Sequence, residues 1–168
     1  RIDRLIELRK RVAAAARRRF ESKRAELMLG GIDPVRGVGD AAHGRTTRLS
    51  SAVRLQRGHD LPSDKRVDGN VPVVGSGGVV GTHCAGVDDV PGVVTGRYGT
   101  LGEVFYFDDS YWPLNTTLYV RDFKGNDPRW AFHLLAALPL DLDGEKSAVT
   151  GINRNVVGRL FAPVPDLE

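Results

Sequence analysis

Three glycines at every third position, Gly96, Gly99 and Gly102 in VVTGRYGTLGEVFYF (93–107), are candidates for a phosphate-binding turn. Backbone N–H groups of such a turn can cradle a phosphate. However, G-R-Y-G-T-L-G is neither G-x-G-x-x-G nor G-x-x-x-x-G-K-[ST]. Both nucleotide motifs also need a helix N-terminus directly after the turn, and residues 103–108 read as a strand. Gly75-Ser-Gly-Gly78 meets the same objection, because apolar strand-like runs flank it. Tight turns are the simpler reading of both segments.

Other chemistry is weaker still. His43, His59, His83, His133 and the single cysteine, Cys84, show no repeated short ligand spacing. Adjacent His83 and Cys84 would point to opposite faces of a strand, so no metal site is expected. A small enzyme using His83 and Cys84 can be imagined, but no substrate suggests itself, and Cys84 reads as a small buried hydrophobe. Asp88-Asp89 and Asp108-Asp109 fall at strand ends, where carboxylates commonly cap turns. No catalytic residue and no cofactor is expected.

The elements that would carry these residues divide into three parts. Residues 1–29 contain no Gly or Pro, and Ile2, Leu5, Ile6, Leu8, Val12, Ala15, Ala16, Phe20 and Leu27 recur at three- and four-residue steps. This predicts an amphipathic helix of roughly 40 Å, long enough to need a partner helix over its stripe. Leu5, Leu8, Val12, Ala16 and Phe20 are the residues expected in that packing. Gly30-Gly31 and Pro34 stop the helix. Residues 30–47, rich in glycine and without apolar period, read as a linker. From 48 to 165 the pattern changes to short β-branched and aromatic runs: 71–74, 79–83, 92–96, 103–108 and 114–121 are expected strands. In DPRWAFHLLAALP, Asp127 can cap and Pro128 suits the first helical turn. Trp130, Leu134, Leu135 and Leu138 would line one face of that helix. A short turn or helix around 153–160 precedes FAPVP, an expected extended tail. The fold class is α+β: a mixed, β-rich domain with a long N-terminal coiled-coil-type helix.

Charge is distributed unevenly. Residues 1–29 hold ten Lys/Arg against four Asp/Glu, whereas the remaining 139 residues hold fourteen against seventeen. The net charge of +3 is therefore a basic helix on a slightly acidic domain. A nucleic-acid role for the domain must rest on local clustering. No run of eighteen apolar residues occurs, so no membrane span is expected, and the lone cysteine fits a reducing cytoplasm.

Polar residues on the expected turns offer such clustering: Lys65-Arg66, Ser76, His83, Arg97-Tyr98, Thr116-Thr117, and Arg154 with Asn153 and Asn155. These side chains include the types that reach base edges and phosphates, and loops on a rigid sheet commonly carry recognition.

The order of segments is more telling than any single one. VPVVGSGGVVG (71–81), VVTGRYGTLGEVFYF (93–107), YWPLNTTLYV (111–120), DPRWAFHLLAAL (127–138) and TGINRNVVGRLFAPVPDLE (150–168) together resemble a target recognition domain of the specificity subunit of type I restriction–modification systems. Residues 1–34 resemble the end of the long conserved spacer helix that precedes such a domain, and 35–65 is the weakest stretch of the likeness.

The resemblance implies a non-enzymatic reader of one half of a split DNA target. It would direct adenine methylation and restriction by partner subunits. Double-stranded DNA, adenine methyltransferase (modification) subunits and a restriction/translocase subunit are the implied partners. A slightly negative domain is tolerable where those subunits supply much of the grip on DNA. The implied contacts are Arg97, Tyr98, Ser76, His83, Lys65, Arg66, Arg154 and Asn155, while Asn115 and the threonines are expected to hold turns. Family members typically carry two recognition domains separated by antiparallel helices. The second is expected either in the same full-length chain, of which this sequence would be a fragment, or in a dimer of half-length subunits; the starting Arg favours the fragment. A helix-mediated oligomerisation or scaffold module that binds protein is the alternative, and salt- and sequence-dependent duplex binding separates the two.

Overall fold

The structure, a computed structural model, describes residues 2–39, 45–87, 90–98, 102–140 and 152–165. His43, Asp88, Asp89 and Gly99 lie outside the described residues. Helix α1 runs Ile2–Leu29. Strand β1 (Arg45–Arg48), the single-turn helix α2 (Leu49–Ala52) and β2 (Arg54–Arg57) follow. After a 3-10 turn at Ser63–Lys65 come β3 (Val71–Gly75), β4 (Gly78–His83), β5 (Gly92–Gly96) and β6 (Val104–Phe107). Next are β7 (Trp112–Pro113), β8 (Thr117–Asp122), α3 (Pro128–Ala137), α4 (Arg154–Val157) and β9 (Phe161–Val164).

A central four-stranded sheet, ordered β2-β8-β5-β6, is antiparallel throughout. A second sheet, β4-β3-β7, combines an antiparallel hairpin with a short parallel pairing of β3 and β7. The central sheet is buried on both faces, which explains why GVVTG of β5 is apolar almost without alternation. Side chains alternate across a strand, so Val93, Leu118 and Val120 join Ala131, Leu134, Leu135 and Leu138 beneath α3. Val94 and Tyr119 turn the other way and pack with Val74 and Tyr111. Each such fully buried aliphatic side chain contributes about 1.5–3 kcal/mol relative to exposure. The Asp127 carboxylate accepts from Trp130 N at 2.9 Å and Pro128 opens α3, as its sequence predicts.

Among the described residues helix α1 meets the domain through its C-terminal half, from Arg17 onward. Residues 2–20 are all exposed, whereas Met28 and Leu29 pack against the core. Arg24 Nη2 donates to the Ala136 carbonyl at 3.0 Å, and Arg17 bridges Glu21 and Glu103 at 2.8 and 3.4 Å. Gly30 and Gly31 take φ of 56° and 92°, the left-handed stop that two glycines allow. No helix among the described residues is long and apolar enough to cross a membrane.

Three expectations need correction. Part of the 30–47 stretch is built into the domain. Ile32 is buried, Phe161 N donates to the Pro34 carbonyl at 2.7 Å, and β1 pairs antiparallel with β9. The FAPVP tail is thereby a strand. Residues 114–116 form a turn rather than the start of a strand. The amide and hydroxyl of Thr117 both donate to the Leu114 carbonyl at 2.8 Å, so the ladder begins at Thr117. Cys84 is exposed, because its neighbour His83 takes the inward face at the end of β4.

Candidate nucleic-acid interface

Three turns converge at one end of the central sheet. Thr116 supplies the junction: its carbonyl accepts from Ser76 Oγ at 2.6 Å and from Arg97 N at 2.9 Å. Ser76 Oγ in turn accepts from Tyr98 N at 3.3 Å. Gly96 permits this approach, since a Cβ there would lie 2.9 Å from Ser76 Cα and 3.0 Å from its carbonyl carbon. The glycines at this end therefore set loop geometry, and Gly102, at φ 86°, turns the chain into β6. The turn reading of the glycine motif holds at Gly102, whereas Gly96 is the last residue of β5.

Arg97 lies at the centre of the arrangement. Its Nη1 donates to the Asn115 carbonyl at 3.2 Å and its Nε to the Ile152 carbonyl at 3.4 Å. Its own carbonyl accepts from Ile152 N at 2.8 Å, and its guanidinium stands 5.0 Å from the centroid of the Tyr98 ring. Arg57 Nε reaches the same Asn115 carbonyl at 3.2 Å. The Asn115 side-chain amide donates to Asp60, and Thr117 is wholly buried, so both serve the turn as their sequence context predicts.

Two open clefts share Arg154 and Asn155 as a common wall. One, of about 530 Å³, is bounded by Arg57, Arg97, Tyr98, Asn153, Arg154 and Asn155. Its neighbour, of about 400 Å³, is bounded by Ser50, Arg54, Arg154, Asn155 and Arg159 over an apolar floor that includes Leu49, Val53 and Leu55. Among the described residues no carboxylate lines either cleft. Asn153 caps α4, its Oδ1 accepting from Asn155 N at 2.9 Å, and so fixes how Arg154 and Asn155 are presented. Asp122 stands opposite Arg54 in the β2–β8 register. Its carboxylate is taken first by Lys124, whose Nζ is at 2.7 Å and whose N–H is at 2.8 Å. Those hydrogen bonds, with a smaller pull from Arg54, hold the Asp122 carboxyl below the usual carboxylate range. Exposed arginines facing open clefts make a surface suited to anions.

The structure thus brings together Arg97, Tyr98, Ser76, Arg154 and Asn155. Lys65, Arg66 and His83 lie elsewhere, along β4. Arg66 Nη1 donates to the Val80 carbonyl at 3.3 Å, while Lys65 is exposed on the 3-10 turn. His83 is buried, accepts from Val67 N at 3.0 Å through Nδ1 and packs edge-on to Trp112 at 5.5 Å. That burial and bonding give His83 a structural role and exclude it from a surface contact. Arg54, Arg57 and Arg159 were not singled out in the sequence, and the β2–β8 pairing and the α4 turn bring them in. Among the described residues no group of three metal-ligating side chains occurs.

No family model matches the sequence, and no curated protein does. Solved structures do match. The chain is 15% identical to the S subunit of a type I restriction-modification system from M. genitalium, with a TM-score of 0.62, covering 74% of this chain and 35% of that one. It is 18% identical to a chain from a study of complex assembly and conformational transition in the type I R-M system, with a TM-score of 0.68 over 99% of this chain and 45% of that one. The HsdS subunit from Thermoanaerobacter tengcongensis is 16% identical, with a TM-score of 0.63 over 97% of this chain and 43% of that one. This chain spans less than half the length of each of these proteins. It has the α+β fold of type I specificity subunits, long N-terminal helix included.

Proposed function

We propose that this chain is a non-catalytic DNA-sequence reader of a type I restriction–modification system. The observation that carries this reading is the pair of arginine-lined clefts on an S-subunit fold. A surface of this kind attracts a phosphate backbone, and Tyr98, Asn153 and Asn155 on its rim offer groups for base edges. Residues 48–165 form the recognition domain and read one half of a split target; 1–29 form the spacer helix and 30–47 the connection between them. The exposed stripe Leu5, Leu8, Val12, Ala16 and Phe20 takes a partner helix. The complex works in the cytoplasm, where adenine-methylating subunits and a restriction/translocase subunit perform the chemistry. A second recognition domain, in the same full-length chain or in a dimer, reads the other half.

Selection of the chain on a pool of randomised duplexes, repeated over a salt series, tests the reading. A short recurrent sequence should emerge, and affinity should fall steeply with salt. Binding that is indifferent to both would instead support a scaffold module that docks protein through the helix.

A further inference from the structure

Arg97 is the cation most central to the interface, yet two of its guanidinium N–H donors are already engaged by the backbone. Nε and Nη1 each serve a backbone carbonyl, and the guanidinium plane rests near the Tyr98 ring. Ile152 is gripped in both directions: its N–H donates to the Arg97 carbonyl and its carbonyl accepts from Arg97 Nε. Ile152 immediately precedes the Asn153 cap of α4. One side chain therefore ties α4 to the end of β5 and, through Asn115, to the turn before β8. By contrast, the side chains of Arg154 and Arg159 make no hydrogen bond or ion pair with any described residue. Arg54 feels only the distant pull of Asp122, which Lys124 already holds.

Resting on the DNA-reading function above, we propose that Arg97 is a positioning residue. In this assignment the phosphates of the DNA backbone are held by Arg54, Arg154 and Arg159 in the smaller cleft. The guanidinium fork of Arg97 fixes the distance between Tyr98 and the Arg154–Asn155 pair, and that distance sets which base edges can be met. A guanidinium tied to two backbone carbonyls is fixed in place, and its planar geometry, rather than its charge, is the useful property. The smaller cleft has the opposite character: exposed arginines with no ion-pair partner among the described residues surround an open groove, which suits counter-ion exchange with a backbone.

The test measures binding of the full chain to a fluorescein-labelled mixed-sequence duplex and to the sequence selected from the random pool, across a salt series. Arg54→Gln, Arg154→Gln and Arg159→Gln should each reduce the steepness of the log–log salt dependence by about 0.9, the value of one phosphate contact. Arg97→Gln should leave that slope unchanged while losing discrimination between the two duplexes. Its Ile152 amide, which keeps its bond to the carbonyl of residue 97, should exchange roughly fivefold faster because the Ile152 carbonyl loses the hydrogen bond from the Arg97 side chain. Arg97→Lys, which keeps the charge and loses the fork, should behave like Arg97→Gln and serves alone if the glutamine variant does not fold. A fall in slope for Arg97→Gln matching that of Arg154→Gln, or full recovery of discrimination by Arg97→Lys, would overturn the assignment. Should the unaltered chain show no salt-dependent binding to any duplex, the DNA-reading function fails and the phosphate assignment with it. The Ile152 exchange rate still decides the clamp in that case.

Discussion

Replacing Gly96 with alanine probes how closely the recognition loops must approach. Gly96 is buried at the end of β5, and an added Cβ would press on the backbone of Ser76, 2.9 Å from its Cα and 3.0 Å from its carbonyl carbon. Real Cβ contacts are wider by several tenths of an ångström. Because the obstacle is backbone, no rotamer change relieves it, and the β3–β4 turn must move. Such a displacement loosens the hydrogen bonds from Ser76 Oγ to Thr116 O and from Tyr98 N to Ser76 Oγ. Overpacking of this kind costs about 1–3 kcal/mol, which lowers Tm by roughly 2–12 °C in a chain of this size. Gly77 provides the matched control one residue along the same turn, since a Cβ there meets nothing within 4 Å. Gly77→Ala should be neutral, or stabilising by up to about 1 kcal/mol through the unfolded chain. Thermal and urea denaturation of both variants, followed by duplex binding, gives the comparison. Equal stability of the two alanine variants would refute the close approach, and with it the account of why the motif carries glycine at 96.

Further expectations follow from the same geometry. Asp127→Ala removes the carboxylate that accepts from Trp130 N and should cost about 1 kcal/mol in chemical denaturation; an unchanged midpoint would mean that α3 is held by packing alone. Leu8→Glu with Val12→Glu should leave the domain's stability within about 0.5 kcal/mol of the original, because both side chains are exposed. The same pair should abolish packing against the partner helix, read as loss of helix-mediated association in solution, and a large loss of stability would show instead that the stripe is covered within the chain. Asp33 is held below the usual carboxylate range first by the N–H of Arg36 and then by that of Val35. Asp122 is held there by Lys124. Depressed folded-state values contribute stability above the unfolded value and lose it as pH falls through the folded one. Stability should therefore drop below about pH 4, and Asp33→Asn should flatten the drop in an acid titration of the unfolding midpoint.

Much of the core was legible in the sequence because it obeys period and punctuation. The apolar runs at 71–74, 79–83 and 92–96 became β3, β4 and β5 nearly residue for residue, and Asp127-Pro128 announced α3. What escaped was everything whose secondary structure depends on a distant partner. RTTR and FAPV carry little strand signal alone and become strands by pairing with each other. RLQR has an arginine at each end and is a strand only because it pairs with β8 at the edge of the central sheet. With it came Arg54 and Arg57, two of the five arginines that line the clefts. Arg97 was visible as a candidate, but not its engagement by Ile152 and Asn115, which lie far along the chain. His83 looked like a loop residue because its inward orientation depends on packing against Trp112.

The central claim, that this domain reads DNA sequence, is tested most directly by domain exchange. Residues 49–165 would replace one recognition domain of a specificity subunit whose split target is known, and methylated adenines would be mapped genome-wide in cells carrying the hybrid and its methylating partner. The account predicts that one half of the methylated motif changes to a new short sequence while the other half stays. Methylation that persists with that half left unspecified would contradict it, for the fold would then dock without reading.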